Sequence, residues 1–313
     1  MTVYVDPPAW PAHGTLFSHL VSDASLAELH GLADRIGLSR RAFDLDHYDV
    51  AAERYDDAVA AGAVPVSGRE LARRLGSSGL RVPGRARRAA KAESLLARWD
   101  ALLPGARDVG VDLVERWHEP HRVYHGPEHL VHALDSLALL EGRPAGAPDI
   151  ANDAGASARH GHATAASVTQ LAIWFHDAVH DGEARVDEER SAALVGEALG
   201  PHLDATVVEE VARLVLMTAD HSPAPDDVAG GLVSDADLAI LAAAPDRYAR
   251  YVRQVRAEYA HVPDDAFRAG RAAVLRSLLG AGPLYRTAYA AEHWEDRARS
   301  HLSAELDTLA GRA

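Results

Sequence analysis

The chain has 313 residues, 48% hydrophobic and 25% charged, with a formal net charge of −14. That is a globular composition with length enough for more than one core, and its acidic balance argues against a polyanion-binding surface over the whole molecule. The lack of cysteine excludes disulfides, thiolate nucleophiles and Cys-ligated zinc.

Of the 32 basic residues only Lys91 is a lysine, and no glycine-rich loop precedes it. Schiff-base and P-loop chemistry therefore have a single, poorly placed candidate, and reactivity falls to His, Asp, Glu, Arg, hydroxyls or a metal. The opening "MTVYVDPPAWPAHG" lacks the basic start of a signal peptide, and no apolar run approaches the roughly 18 residues of a membrane span. Together with the missing cysteines this predicts a cytoplasmic protein with no membrane partner.

Along the chain, "TVYVD" (Thr2–Asp6) predicts a short strand ended by Pro7 and Pro8. A helix follows Ser25, with apolar residues at Leu26, Leu29, Leu32, Ala33 and Ile36. A second helix is predicted over "VAAERYDDAVAAGA" with a stop at Gly62. "VPV" (Val64–Val66) reads as a strand, and a third helix is capped by Ser67 with Glu70 three residues on and a stop at Gly76. These elements predict a small α/β domain over residues 1–80. Arg81–Ala92, with four Arg and one Lys, reads as a solvated connector, since no aromatic residues are interleaved to suggest a nucleic-acid arm.

From Glu93 onward only helical periods are visible, so residues 93–313 are predicted to be all-α and the chain α+β overall. Two stretches interrupt them, the Gly/Ala/Pro-rich Glu141–Ala166 and the shorter Ser222–Gly231, both expected as loops. Eleven of the 18 histidines fall between His118 and His221. In "RVYHGPEHLVHAL", Pro127 marks a helix start, placing His125 just outside and His129 in the first turn. "LAIWFHDAVHD" then ends an apolar segment on His176-Asp177, repeated one turn later by His180-Asp181. "TADH" adds Asp220 and His221, and "LVSDADLAIL" adds Asp235 and Asp237 at the expected start of a further apolar helix.

This order, with "EPHRVYHGPEHL", "LAIWFHDAVHD", "DEERSAALV", "DADLAIL", "VRAEYAHVPDDAF" and "GRAAVL", resembles the HD superfamily of predicted metal-dependent phosphohydrolases over Glu93–Leu306. The first eighty residues separately resemble an uncharacterised bacterial domain by the pattern "YVDPPAWPAHG…SHLVSD…FDLDHYDV", which carries no function with it. The HD resemblance implies metal ligation by His125, by His176 with Asp177, and by Asp237 in preference to Asp235. It further implies one or two divalent ions (Mn²⁺, Mg²⁺, Co²⁺, Fe²⁺ or Zn²⁺) and a small phosphorylated substrate, with a nucleotide as the leading class.

His129, His180 and His221 are candidates for a second metal site, a phosphate contact or support of a ligand. Arg122 and Arg190 are candidates for a phosphate clamp, and Glu188 or Glu189 for proton transfer beside Asp177. Two features depart from the resemblance: the inserted Gly/Ala-rich stretch, and His180 where Tyr is expected. A metal- or nucleotide-binding sensor without turnover and a di-iron oxygenase remain open. So does a site in the acid-rich N-terminal domain at His13, His19, Asp23, Asp44, Asp46, His47 and Asp49, and so does homo-oligomerisation.

Overall fold

The computed structural model describes residues 2–12, 15–39, 42–142 and 165–311. The chain divides into two compact units, 1–94 and 95–313. Most of the Gly/Ala/Pro-rich stretch, together with His13, His160 and His162, lies outside the described residues.

The first unit is a five-stranded sheet with helices on both faces. Its strands are β1 (Val3–Val5), β2 (Trp10–Ala12), β3 (Thr15–Ser22), β4 (Tyr48–Ala51) and β5 (Val64–Pro65). β3 pairs antiparallel with β1, β2 and β4, and β5 adds in parallel to β1. Side chains alternate across the sheet. Val3, Val5, Leu20, Tyr48 and Val50 pack on one face against α1 (Leu26–Arg35) and α2 (Tyr55–Ala60). Tyr4 and Val21 face the other way, onto Leu71 and Leu75 of α3 (Gly68–Ser77). Ser25 and Ser67 cap α1 and α3, each accepting the main-chain N–H three residues on.

Three predicted features change here. The expected second helix begins as strand, because Val50 and Ala51 pair with Ser18 and Phe17 of β3, and α2 starts only at Tyr55. Likewise α3 runs through Gly76 to Ser77. Residues 87–92 are not a bare connector, since they form the first turns of α4 (Arg87–Leu102).

In the second unit, α5 (Arg107–Trp117) follows α4, and then α6 (Pro127–Leu140) starts with Pro127 at its first turn after Gly126. After α7 (Ala165–Phe175) come α8 (Val186–Leu199), α9 (Ala205–Met217) and α10 (Val228–Asp237). α6, α7, α9 and α10 pack on one another, with α8 against α9. A 3₁₀ segment, Leu238–Ala242, leads to α11 (Pro245–Glu258), α12 (Asp264–Gly280), α13 (Ala288–His293) and α14 (Glu295–Leu309), which share a second apolar cluster. Among the described residues no single helix is long and apolar enough to cross a membrane.

Tryptophans lock the first helices together. Trp99 is fully buried, donates its indole N–H to the Ala106 carbonyl at 2.7 Å and meets Trp174 edge-on at 5.3 Å. It packs so closely on α5 that a Cβ at Gly110 would lie 2.3 Å from its ring. Trp117 in turn donates its indole N–H to the Trp174 carbonyl at 3.1 Å, tying α5 to the end of α7.

α10 also differs from expectation. Asp227 accepts the Gly230 N–H and starts the helix inside the predicted loop, so Asp237 ends the helix instead of opening one.

Candidate metal centre

α7 stops at Phe175, so His176 and Asp177 stand in the turn after it and their side chains leave the helix together. The main-chain N–H of His176 still bonds to the Ala172 carbonyl, and its Nδ1 lies 2.8 Å from the Ile173 carbonyl. That bond places a proton on Nδ1 and turns Nε2 into the interior. Facing it 3.0 Å away is Nε2 of His129, from the first turn of α6. Asp237 Oδ1, at the end of α10, lies 3.0 Å from the His129 Nε2 and 3.4 Å from that of His176. Asp177 Oδ2 closes the group at 3.2 Å from His176 and 3.6 Å from His129.

Electrostatically the cluster calls for a cation. Burial opposes charge on His176, but Asp177 and Asp237 outweigh it and hold the imidazole well above its ordinary pKa. Burial likewise works against the two carboxylates, yet His176 and its neighbours keep both well below the usual range. Donor atoms around one ion, with bonds near 2.1 Å, lie about 3 Å apart, which is the spacing found here. The imidazoles are 1–2% exposed and the carboxylates 14–16%, so the group is closed on its histidine side and open on its acid side. His221 follows α9 with φ +50° and brings Nε2 to 3.4 Å from Asp237 Oδ2. Burial lowers its pKa, which keeps it neutral.

His125 does not join this group. Its Nδ1 is 2.5 Å from Glu258 Oε1, and His180 Nε2 approaches the same oxygen at 3.2 Å. The other oxygen, Oε2, accepts the main-chain N–H of Val123, Tyr124 and His125 at 2.7, 2.9 and 3.1 Å. Glu258, which the sequence did not single out, thus ties the end of α11 to the loop before α6. Burial opposes its charge, but the two histidines hold its carboxyl well below the usual range. The His125 and His129 rings are 5.7 Å apart, so this second triad stands directly beside the first.

Several residues proposed from the sequence have other partners. Asp235 is fully buried, with both oxygens accepting main-chain N–H groups of Arg286 and Thr287, because it lies two positions from Asp237 and so on a different face of α10. Arg122 donates to the carbonyls of His125, Asp177 and Ala178 and to Glu119, which makes it a brace for the turn and leaves no fork for a phosphate. Arg190 is half exposed among Asp181, Glu183 and Asp187. Glu189 is exposed, whereas its neighbour Glu188 is half-buried near Asp177, and burial raises its pKa.

Residues 3–78 match the family described as "Protein of unknown function (DUF4031)", and no match to an HD family accompanies it. No curated protein and no solved structure matches the chain.

Proposed function

We propose that the helical unit is a divalent-metal-dependent phosphohydrolase acting on a phosphoester or phosphoanhydride, with a nucleotide as the leading substrate class. The observation that carries this reading is the convergence of two buried imidazole nitrogens with the carboxylates of Asp177 and Asp237, open to solvent on the carboxylate side. In this reading His129, His176, Asp177 and Asp237 hold the ion, and His221 orients Asp237. A divalent ion there supplies Lewis acidity toward a phosphoryl oxygen and acidifies water.

The chain's own contributions follow from burial. Ile173 fixes the His176 tautomer, and Arg122 fixes the backbone of Asp177 and Ala178. Glu188, half-buried with its pKa raised by burial and by the nearby Asp177 carboxylate, is the candidate for proton exchange with a leaving oxygen in this reading. Glu258 has one oxygen filled by three main-chain amides and shares the other with His125 and His180, and this reading takes that second triad as support beside a single ion.

Phosphate release from nucleoside mono-, di- and triphosphates and p-nitrophenyl phosphate, with Mn²⁺, Co²⁺, Fe²⁺ or Zn²⁺ added to full-length protein, tests the activity. Turnover abolished by chelator and restored by one of these ions is expected. Tight ion binding with no release from any of these substrates would favour the sensor.

A further inference from the structure

We propose that the N-terminal unit carries a metal site of its own, in which His19, His47 and Asp49 hold a divalent transition-metal ion at the edge of a cavity of about 490 Å³. The sheet itself sets out these residues. Val5 pairs with Leu20, which puts Asp6 beside His19, and His19 pairs directly with Asp49 across β3 and β4. His47 precedes Asp49 by two residues and so shares its face. The intervening Leu20, Tyr48 and Val50 all point into the core under α1 and α2, which leaves His19, His47 and Asp49 on the face that carries α3.

Each histidine is held from behind by a buried acid. His19 Nδ1 lies 3.3 Å from Asp6 Oδ2, and Asp6 is 3% exposed. His47 Nδ1 lies 2.6 Å from Asp46 Oδ1, and Asp46 is completely buried, with its second oxygen accepting the Val82 N–H at 2.7 Å. A carboxylate on Nδ1 fixes the proton there and leaves Nε2 bare, the arrangement by which proteins orient metal-binding histidines. Both Nε2 atoms then turn to the same oxygen: Asp49 Oδ1 is 3.9 Å from that of His19 and 3.6 Å from that of His47.

The ring centres of His19 and His47 are 5.2 Å apart with planes at 69°. Two imidazoles on one tetrahedral ion, with bonds near 2.1 Å, put their ring centres about 5 Å apart. An imidazole-rich donor set of this kind suits Zn²⁺, Co²⁺, Ni²⁺ or Fe²⁺ more than Mg²⁺ or Ca²⁺. Three protein ligands leave at least one coordination position, and His19 and His47 both line the cavity, which Arg81 and Arg87 share. Trp10 is 56% exposed and meets the His19 ring edge-on at 5.3 Å, forming part of the cavity's wall.

Zn²⁺ titration of full-length, metal-stripped protein by equilibrium dialysis tests the site, with His47→Gln and Asp49→Asn compared with wild type. Asp49 is 48% exposed, so its amide variant leaves the packing intact, and circular dichroism verifies the fold of both. Each variant is expected to bind one equivalent fewer than wild type, or to bind it at least 100-fold more weakly, with the helical unit's ion unchanged. Asp46→Asn, which weakens the support behind His47 and leaves the three proposed ligands in place, is expected to weaken the same equivalent by about 10- to 100-fold. Wild-type stoichiometry and affinity in both His47→Gln and Asp49→Asn would overturn the site, without bearing on the helical unit.

Discussion

Asp177→Asn is expected to raise the Kd for the helical unit's divalent ion more than about 100-fold, beyond the range seen when only an outer partner of a ligand is lost. The substitution keeps the side chain's size and removes its charge. It therefore isolates what Asp177 does electrostatically at 3.2 Å from the His176 Nε2 and 3.6 Å from that of His129. Phosphate release should fall at least about 10³-fold, since Lewis-acid stabilisation of the transition state amounts to several kcal/mol. Ion titration and kcat on whichever phosphorylated substrate is turned over measure the two effects. Unchanged ion affinity in a folded Asp177→Asn protein would remove Asp177 from the ligand set.

Glu258→Ala should act on stability. Its carboxylate meets three main-chain N–H groups and two imidazoles. Removing one partner of a buried, hydrogen-bonded charge cluster costs about 3–5 kcal/mol, which in a unit of this size lowers Tm by on the order of 10 °C. His125→Ala, which leaves the three amide bonds in place, should cost clearly less. Differential scanning calorimetry makes the comparison. Equal losses would mean that the imidazole contact, and not the amide bonds, carries the stability of the loop before α6.

Helix periods along residues 93–313 were legible because their apolar faces recur at helical spacing and their caps are local, as at Gly126-Pro127. Which histidine joins the cluster was not legible. His125 and His129 both flank that helix start, and what separates them is Glu258, 133 residues downstream of His125 on a helix whose sequence carries no sign of it. The choice between Asp235 and Asp237 depended on the register of α10, which Asp227 sets from inside an apparent loop. In the first unit, "DLDHYDV" resembles a capped helix start in isolation. Pairing of Tyr48–Ala51 with Phe17–Leu20 overrides that local preference, turning scattered acids and histidines into one face of a sheet.

Divalent-ion stoichiometry of the full-length chain, set beside His129→Ala and His125→Ala, tests the central claim most directly. The helical centre built on His129, His176, Asp177 and Asp237 predicts that His129→Ala loses one equivalent relative to wild type and that His125→Ala keeps it. Loss in His125→Ala with retention in His129→Ala, or retention in both, would contradict it.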